Sequence, residues 1–286
     1  MSMRVLVLGA SGMAGHVVNL FLKENGYEVD SLAAKNKVDE QTTLLDVTDL
    51  SALKSFLNKN SYDVVVNCIG ILVKESEERK ALAILINSYL PHFLEALYSH
   101  KNTKVIHLST DYVFASENAP YKDDSKYDGE SFYGRSKALG EVINNKDLTF
   151  RMSIIGPDMR KDGIGLFNWF ASQKGTISGY KGVLWSGVTT IELAKGIKKA
   201  IEQNLNGIYH LVPAKNISKY DLLKLLKEEF SYEDLKIEPD NSKKSNTTLI
   251  NTRKDFSFEV SDYKTMIKEM KNWVDSHKYI YPHYQR

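Results

Sequence analysis

Tyr133 and Lys137 stand four residues apart in the run Tyr133-Gly134-Arg135-Ser136-Lys137, a spacing that puts phenol and ammonium on one face of a helix. The pair suits a reaction in which a carbonyl accepts hydride, because the alkoxide that forms needs a proton and a phenol can donate it. A free phenol, with a pKa of about 10, is a poor donor near neutrality, and a neighbouring ammonium lowers that value by favouring the phenolate. The spacing alone has little specificity: Tyr220/Lys224 and Tyr232/Lys236 share it in segments with no other chemistry. What singles out Tyr133 is the upstream string Leu108-Ser109-Thr110-Asp111-Tyr112-Val113-Phe114, where an apolar strand ends in hydroxyls. Thr110 or Ser109 is then placed to hydrogen-bond a substrate carbonyl and steady its developing charge.

A second constellation opens the chain. Gly9-Ala10-Ser11-Gly12-Met13-Ala14-Gly15 follows the first apolar run and leads into a helical pattern. In such a loop Gly9 makes the tight turn, Gly12 lets backbone approach a pyrophosphate, and Gly15 allows close packing of helix on strand. Ser11 and Met13 complete the loop, and phosphates would rest on the free N–H groups of the helix start. The next strand, Tyr27–Leu32, continues into Ala33-Ala34-Lys35-Asn36-Lys37 and not into the terminal acid that binds a ribose 2′-hydroxyl; Asp30 falls inside the strand. Lys35 and Lys37 beside the adenosine ribose favour a 2′-phosphate, so NADP(H) is the expected cofactor, with NAD(H) as the alternative.

These groups need a frame. Apolar runs at Arg4–Leu8, Tyr27–Leu32, Thr43–Leu45, Asp63–Asn67, Lys104–Leu108 and Leu148–Ile154 alternate with helical spacing at Met13–Glu24, Leu50–Leu57, Ala81–His100 and Ser136–Asn144. Continuous Val/Ile/Leu strands separated by helices predict an α/β fold, a doubly wound parallel Rossmann-type sheet covered on both faces. Ligands of such sheets lie at the carboxyl ends of the strands, where both constellations fall. Beyond residue 155 the pattern loosens: Gly156-Pro157-Asp158 and Lys161-Asp162-Gly163 mark loops. Helices are expected at Leu166–Ser172, Thr190–Gln203, Tyr220–Phe230 and Tyr263–Ser276, with strands near Gly207–Val212 and Leu235–Glu238. The division is therefore residues 1–155, a cofactor domain with the catalytic groups, and 156–286, mainly a smaller mixed α/β substrate-binding annex. Asp240–Asn246 is polar enough to predict a mobile loop. The aromatic ending Tyr279–Tyr284 is expected to pack on its own domain, with docking or self-association as the alternative.

Composition narrows the class. Lys+Arg 38 against Asp+Glu 36 gives +2, so no basic field points to a nucleic-acid partner. The lone Cys68 excludes an internal disulfide framework, fits a reducing compartment, and reads as a small buried hydrophobe. The chain has no apolar stretch of about 18 residues and no signal-like start, so neither membrane nor export is expected and the cytoplasm is the predicted location. Its seven histidines show no metal-ligand spacing, and no metal is expected. His107, inside a strand, reads as structural.

The glycine spacing G-x-x-G-x-x-G resembles that of extended short-chain dehydrogenase/reductases. Ser109–Phe114 followed by Tyr133-Gly134-Arg135-Ser136-Lys137-Ala138-Leu139-Gly140-Glu141 closely resembles the dTDP-4-dehydrorhamnose reductases, as do Leu85-Ile86-Asn87, Phe150-Arg151-Met152-Ser153 and Gly207–Leu211. The resemblance spans nearly the whole chain. It implies Thr110, Tyr133 and Lys137 as the catalytic trio, NADPH as hydride donor, and the 4-keto group of a nucleotide-diphospho-6-deoxysugar as substrate. It also implies cofactor contacts from Asp46 and Val47 near the adenine, and from Cys68-Ile69-Gly70 and Ser109 along the nicotinamide side. A homodimer is the possible assembly. The chain departs from the family at Asp128–Phe132, which replaces Pro-x-Asn-x-Tyr, at Gly179–Thr190, and at Asn246-Thr247-Thr248-Leu249, which lacks the family's arginine. Those stretches shape the sugar pocket, so the sugar is open. Asp111, Tyr112, Asn168, Trp169 and Trp185 are the candidate substrate contacts, the tryptophans equally readable as packing. The alternatives are an NDP-sugar epimerase or dehydratase of the same fold, or a non-catalytic regulatory subunit like that of methionine adenosyltransferase.

Overall fold

The structure, a computed structural model, describes residues 3–284. In chain order its elements are β1 (Arg4–Leu8), α1 (Met13–Glu24), β2 (Glu28–Ala33), β3 (Thr42–Leu44), α2 (Leu50–Lys59), β4 (Val64–Asn67), α3 (Val73–Glu78) and α4 (Lys80–Ala83). A π-helical turn (Ile84–Tyr89) leads into α5 (Leu90–Tyr98), then β5 (Lys104–Ser109), a short 3-10 turn (Asp111–Val113), α6 (Phe132–Leu139), β6 (Leu148–Arg151) and β7 (Ile154–Ile155). The second half adds α7 (Leu166–Ser172), β8 (Thr176–Trp185), β9 (Val188–Thr189), α8 (Thr190–Glu202), β10 (Gly207–His210), β11 (Ile217–Ser218), α9 (Lys219–Glu229), β12 (Lys236–Asn246) and α10 (Tyr263–Ser276).

The central sheet has seven strands in the order β10-β6-β5-β4-β1-β2-β3, and every pairing in it is parallel. The fully buried runs Val5–Leu8, Val64–Asn67 and Lys104–Ser109 explain this: strands apolar on both faces need helices above and below. One face packs against α1 and α8, the other against α2 and α5. Because all strands run the same way, Gly9, Cys68 and Thr110 emerge at one edge. A smaller sheet, β11-β8-β12, belongs to the annex, and β7 pairs with β9 between the two.

Four expectations change. The boundary at residue 155 is not a clean one: β10 completes the main sheet beside β6, and α8 packs on α1, so the annex lends the cofactor domain a strand and a helix. Asp240–Asn246 is strand, not loop; its polar side chains face outward while the backbone pairs with β8, the register shifting between Asp240 and Lys244. The long helix expected over Ala81–His100 is interrupted by the π-helical turn. The helix expected at Ser136–Asn144 starts earlier and stops at Gly140, where a Cβ would lie 1.9 Å from the Asn87 carbonyl oxygen. The aromatic ending packs on its own domain: the Tyr281 hydroxyl meets His16 Nε2 at 2.7 Å and accepts from Trp273 Nε1 at 3.0 Å. Among the described residues no helix is long and apolar enough to cross a membrane.

Candidate active site

The glycine loop has the geometry its composition demands. Gly9 sits at φ +77°, in the left-handed region, and a Cβ on Gly15 would lie 2.1 Å from the Gly9 carbonyl oxygen. The start of α1 thus lies directly on the end of β1. Gly12 is the N-cap, and it offers no side-chain cap, so the N–H groups of the first turn are left for an anion. Ala33, Ala34 and Lys35 end the second strand without an acid, and Asp30 inside β2 is bound to Arg4 at 2.6 Å and to the Tyr62 hydroxyl. Lys35 lies close to Asp46, whose carboxyl is held below its ordinary range chiefly by hydrogen bonds from Thr48. The adenine-ribose end of a dinucleotide would meet these two groups, with Val47 buried behind them.

At the centre of the edge, the Tyr133 phenol lies beside the Thr110 hydroxyl, close enough to be influenced by it. Gly134 makes the pairing possible: a Cβ there would lie 2.1 Å from the Tyr112 carbonyl oxygen, so α6 rests on the 3-10 turn with nothing between. Ser131 caps α6 through the Gly134 N–H at 3.0 Å. The Tyr112 ring meets Tyr133 edge-on, centroids 5.8 Å apart, and stays half exposed to the cleft. Lys137, one turn on, is buried and donates to the Leu108 carbonyl at 2.6 Å, with His107 Nε2 at 3.3 Å. Gly70 brings its backbone beside the Lys137 ammonium, and so the Cys68–Gly70 segment and the trio face one space.

The expected lowering of the Tyr133 pKa by Lys137 is not what this arrangement gives. Burial pushes the phenol up to about 12, and the Lys137 ammonium is turned to Leu108 and His107. Burial also brings Lys137 down to about 8. The phenol therefore waits protonated, as a donor must. Cys68 is likewise pushed up to about 12 by burial, in line with an inert thiol.

Ser109, expected at the substrate carbonyl, points the other way. Its hydroxyl donates to Glu141 Oε1 at 2.6 Å, within a buried ion pair of Glu141 and Arg151 that also takes the Tyr127 hydroxyl. Successive residues at a strand end face opposite sides, and only Thr110 faces the cleft side. Asn168 is also committed elsewhere: its amide donates to the carbonyls of Arg160, Lys161 and Gly163 and accepts from Tyr284 at 2.5 Å, so it holds a loop together. Trp185 is buried against Tyr263, which argues for packing, whereas Trp169 on α7 is 42% exposed and keeps a free face. Asp111 is buried beside Thr110 and accepts the hydroxyls of Thr110, Ser153 and Thr247.

Three contributors were not singled out by residue type and spacing. Asn87, in the π-helical turn, accepts from the Ile71 N–H at 2.9 Å and donates to Ser136 Oγ at 3.1 Å, tying the loop after β4 to the catalytic helix. Such turns recur at functional sites, and a buried amide in one is a signal visible only once the helix register is known. The Glu141–Arg151 pair braces the same edge from behind. Lys219, the first residue of α9, reaches over the Trp185 ring toward Asp111; a lysine directly after a Ser N-cap was the available hint.

A doubly wound sheet with an open glycine loop and a Thr/Tyr/Lys trio at its carboxyl edge defines a Rossmann-type oxidoreductase of the short-chain class. Within that class the chain belongs to the RmlD substrate binding domain family, which it matches over residues 3–275. It is 37% identical over 142 residues to the probable dTDP-4,6-dihydroxy-2-methyloxan-3-one 4-ketoreductase of Streptomyces antibioticus; the match covers 49% of this chain and 45% of that protein, less than half its length. It is 28% identical over 236 residues to the spore coat polysaccharide biosynthesis protein SpsK of Bacillus subtilis, covering 80% of each. In fold it is similar to the dTDP-4-dehydrorhamnose reductase of Bacillus anthracis in complex with NADP, with TM-score 0.81, 19% identity, and coverage of 96% of this chain and 100% of that one.

Proposed function

We propose that this protein is an NADPH-dependent reductase that converts the 4-keto group of a nucleotide-diphospho-6-deoxysugar to an alcohol, in the cytoplasm, on a route to a cell-surface glycan. The pairing of Thr110 with Tyr133 above Lys137, at the edge where the glycine loop opens, carries the reading. Family membership supports the substrate class: one curated relative is by name a probable 4-ketoreductase of a dTDP-linked compound, and another a polysaccharide biosynthesis protein. The NADP complex of the B. anthracis structure supports the cofactor.

The residues fit a dinucleotide: Gly9, Ser11, Gly12 and Met13 would hold its diphosphate, Lys35 a 2′-phosphate, Cys68–Gly70 and Lys137 the nicotinamide riboside. When bound, the reduced nicotinamide supplies the hydride. Thr110 and Tyr133 take the carbonyl oxygen between them, which polarises the bond and aligns the carbon. As negative charge grows on that oxygen, Tyr133 transfers its proton to it. The resulting phenolate is stabilised by the charge of the Lys137 ammonium, which stands one turn along α6 and is held by the Leu108 carbonyl and His107. Asn87 and the Glu141–Arg151 pair hold the two walls of the site in register.

The test is oxidation of NADPH with 4-keto-6-deoxy sugars linked to dTDP or UDP. One equivalent consumed per alcohol formed is the expected result. A sugar epimer or dehydrated product formed without net cofactor consumption would replace the reading by the epimerase or dehydratase one.

A further inference from the structure

Three strands of the annex converge on the catalytic edge. β8 ends at Trp185, β11 pairs Ile217 with Trp185 and Ser218 with Leu184, and β12 pairs Asn246 with Leu184. β11 and β12 flank β8 on opposite sides, so Lys219 after β11 and Thr247 after β12 approach the end of β8 from either side, and what they share is Asp111. Thr247 donates its hydroxyl to Asp111 Oδ2 at 2.9 Å, and the Lys219 ammonium lies 4.6 Å from the Trp185 ring centroid, within the field of Asp111. Asp111 adjoins Thr110, so this cluster begins one residue from the reacting carbonyl.

Lys219 is poorly provided for as a structural cation. Asp111 has its oxygens taken by the hydroxyls of Thr110, Ser153 and Thr247, and among the described residues Lys219 forms no ion pair. Burial brings its pKa down to about 8, a sign that the ammonium is short of compensation. It also stands at the positive end of the α9 dipole, where the first-turn Asp221 is the favourable charge and a lysine the unfavourable one. A buried cation without an ion-pair partner calls for an anion.

We propose that Lys219 is the anchor for the diphosphate of the sugar nucleotide, which rests on the reductase reading above. In such a substrate the negative charge resides in the diphosphate alone, and the anomeric carbon that carries it lies across the sugar ring from the 4-keto carbon. With the keto oxygen on Thr110 and Tyr133, the diphosphate falls one ring away, and Lys219, within the field of Asp111, is the cation to meet it. The Trp185 face supports the ammonium without neutralising it. Asp111 repels an anion that arrives without the sugar in register, so the Lys219–Asp111 couple favours the keto end against Thr110.

The experiment is a calorimetric titration of dTDP and of UDP into the full-length protein saturated with NADP+, for wild type, Lys219→Met and Lys219→Arg. Lys219→Met is expected to weaken nucleoside diphosphate binding about ten- to a hundredfold, as loss of a charged hydrogen bond does. Lys219→Arg should recover most of it, with NADP+ affinity unmoved in both. In turnover, Lys219→Met should raise KM for the sugar nucleotide far more than it lowers kcat. Wild-type binding that Lys219→Met leaves unchanged overturns the anchor and spares the reductase. Absence of binding by the wild type overturns the sugar-nucleotide reading, and the anchor with it. If Lys219→Met does not fold, the same titration on Lys219→Gln decides.

Discussion

Burial pulls the two members of the catalytic pair in opposite directions, the Tyr133 phenol up to about 12 and the Lys137 ammonium down to about 8. Below about 8 Lys137 is charged and can stabilise a phenolate; above it the charge is lost while the phenol is still protonated. The expected consequence is a fall of kcat as pH rises through about 8, measured with both substrates saturating so that groups acting only in binding drop out. A kcat flat to pH 10 would remove Lys137 from the proton step. Tyr133→Phe keeps the ring against Tyr112 and removes the donor, so kcat should drop by roughly 10²–10⁴ while NADPH binding, followed by cofactor fluorescence, stays close to wild type. Residue type alone points to Tyr133 and Lys137, because the proposed reaction needs those groups on one helix face, and leaves Thr110 and Ser109 as alternatives at the strand end. The Ser109 hydroxyl and the Asn168 amide have internal partners that sequence does not reveal, because it shows which groups can hydrogen-bond and not where those bonds go. Each is committed inside the fold, Ser109 to Glu141 and Asn168 to three carbonyls.

Among the elements, α6 and the turn before it form the joint on which the site depends. Gly134 has no room for a Cβ, with the Tyr112 carbonyl oxygen at 2.1 Å from where one would stand. Gly134→Ala should push α6 off the turn and part Tyr133 from Thr110. A loss of kcat of at least about tenfold is expected, with a smaller loss of NADPH affinity, since Lys137 moves with α6 while the glycine loop lies on a different element. Unchanged turnover would mean that the turn follows the helix. The parallel sheet was readable because its strands are apolar on both faces, a pattern written into each run separately. The strand Lys236–Asn246 was not, since an edge strand with exposed side chains is held by backbone pairing to β8 and leaves only polar residues in the sequence. The π-helical turn was hidden for a related reason: it is imposed by what Asn87 must reach, Ile71 and Ser136, both distant along the chain.

On the scale of the whole molecule, the segment that follows α10 packs back on α1. Tyr281 is fully buried, and its hydroxyl joins His16 of α1 to Trp273 of α10. Tyr281→Phe leaves two buried polar groups without that partner and should destabilise the fold by about 1–3 kcal/mol, seen as a lowered Tm. A Tm equal to that of the wild type would show the hydroxyl to be dispensable. His16 is held down to about 4 by burial, against about 6.5 in an unfolded chain. The unfolded state therefore takes up a proton first on acidification, and His16 contributes a loss of stability as pH falls from about 6.5 to about 4.

That hydroxyl also sets an order of assembly. His16 lies in the helix whose first turn faces the phosphates, and its partner arrives 265 residues later. While the chain is still leaving the ribosome, all six strands from β1 to β6 can pair, yet His16 lacks its Tyr281 partner and is held only through Nδ1 at the Gly12 carbonyl. The helix at the glycine loop thus gains this internal partner only when the segment after α10 docks on it.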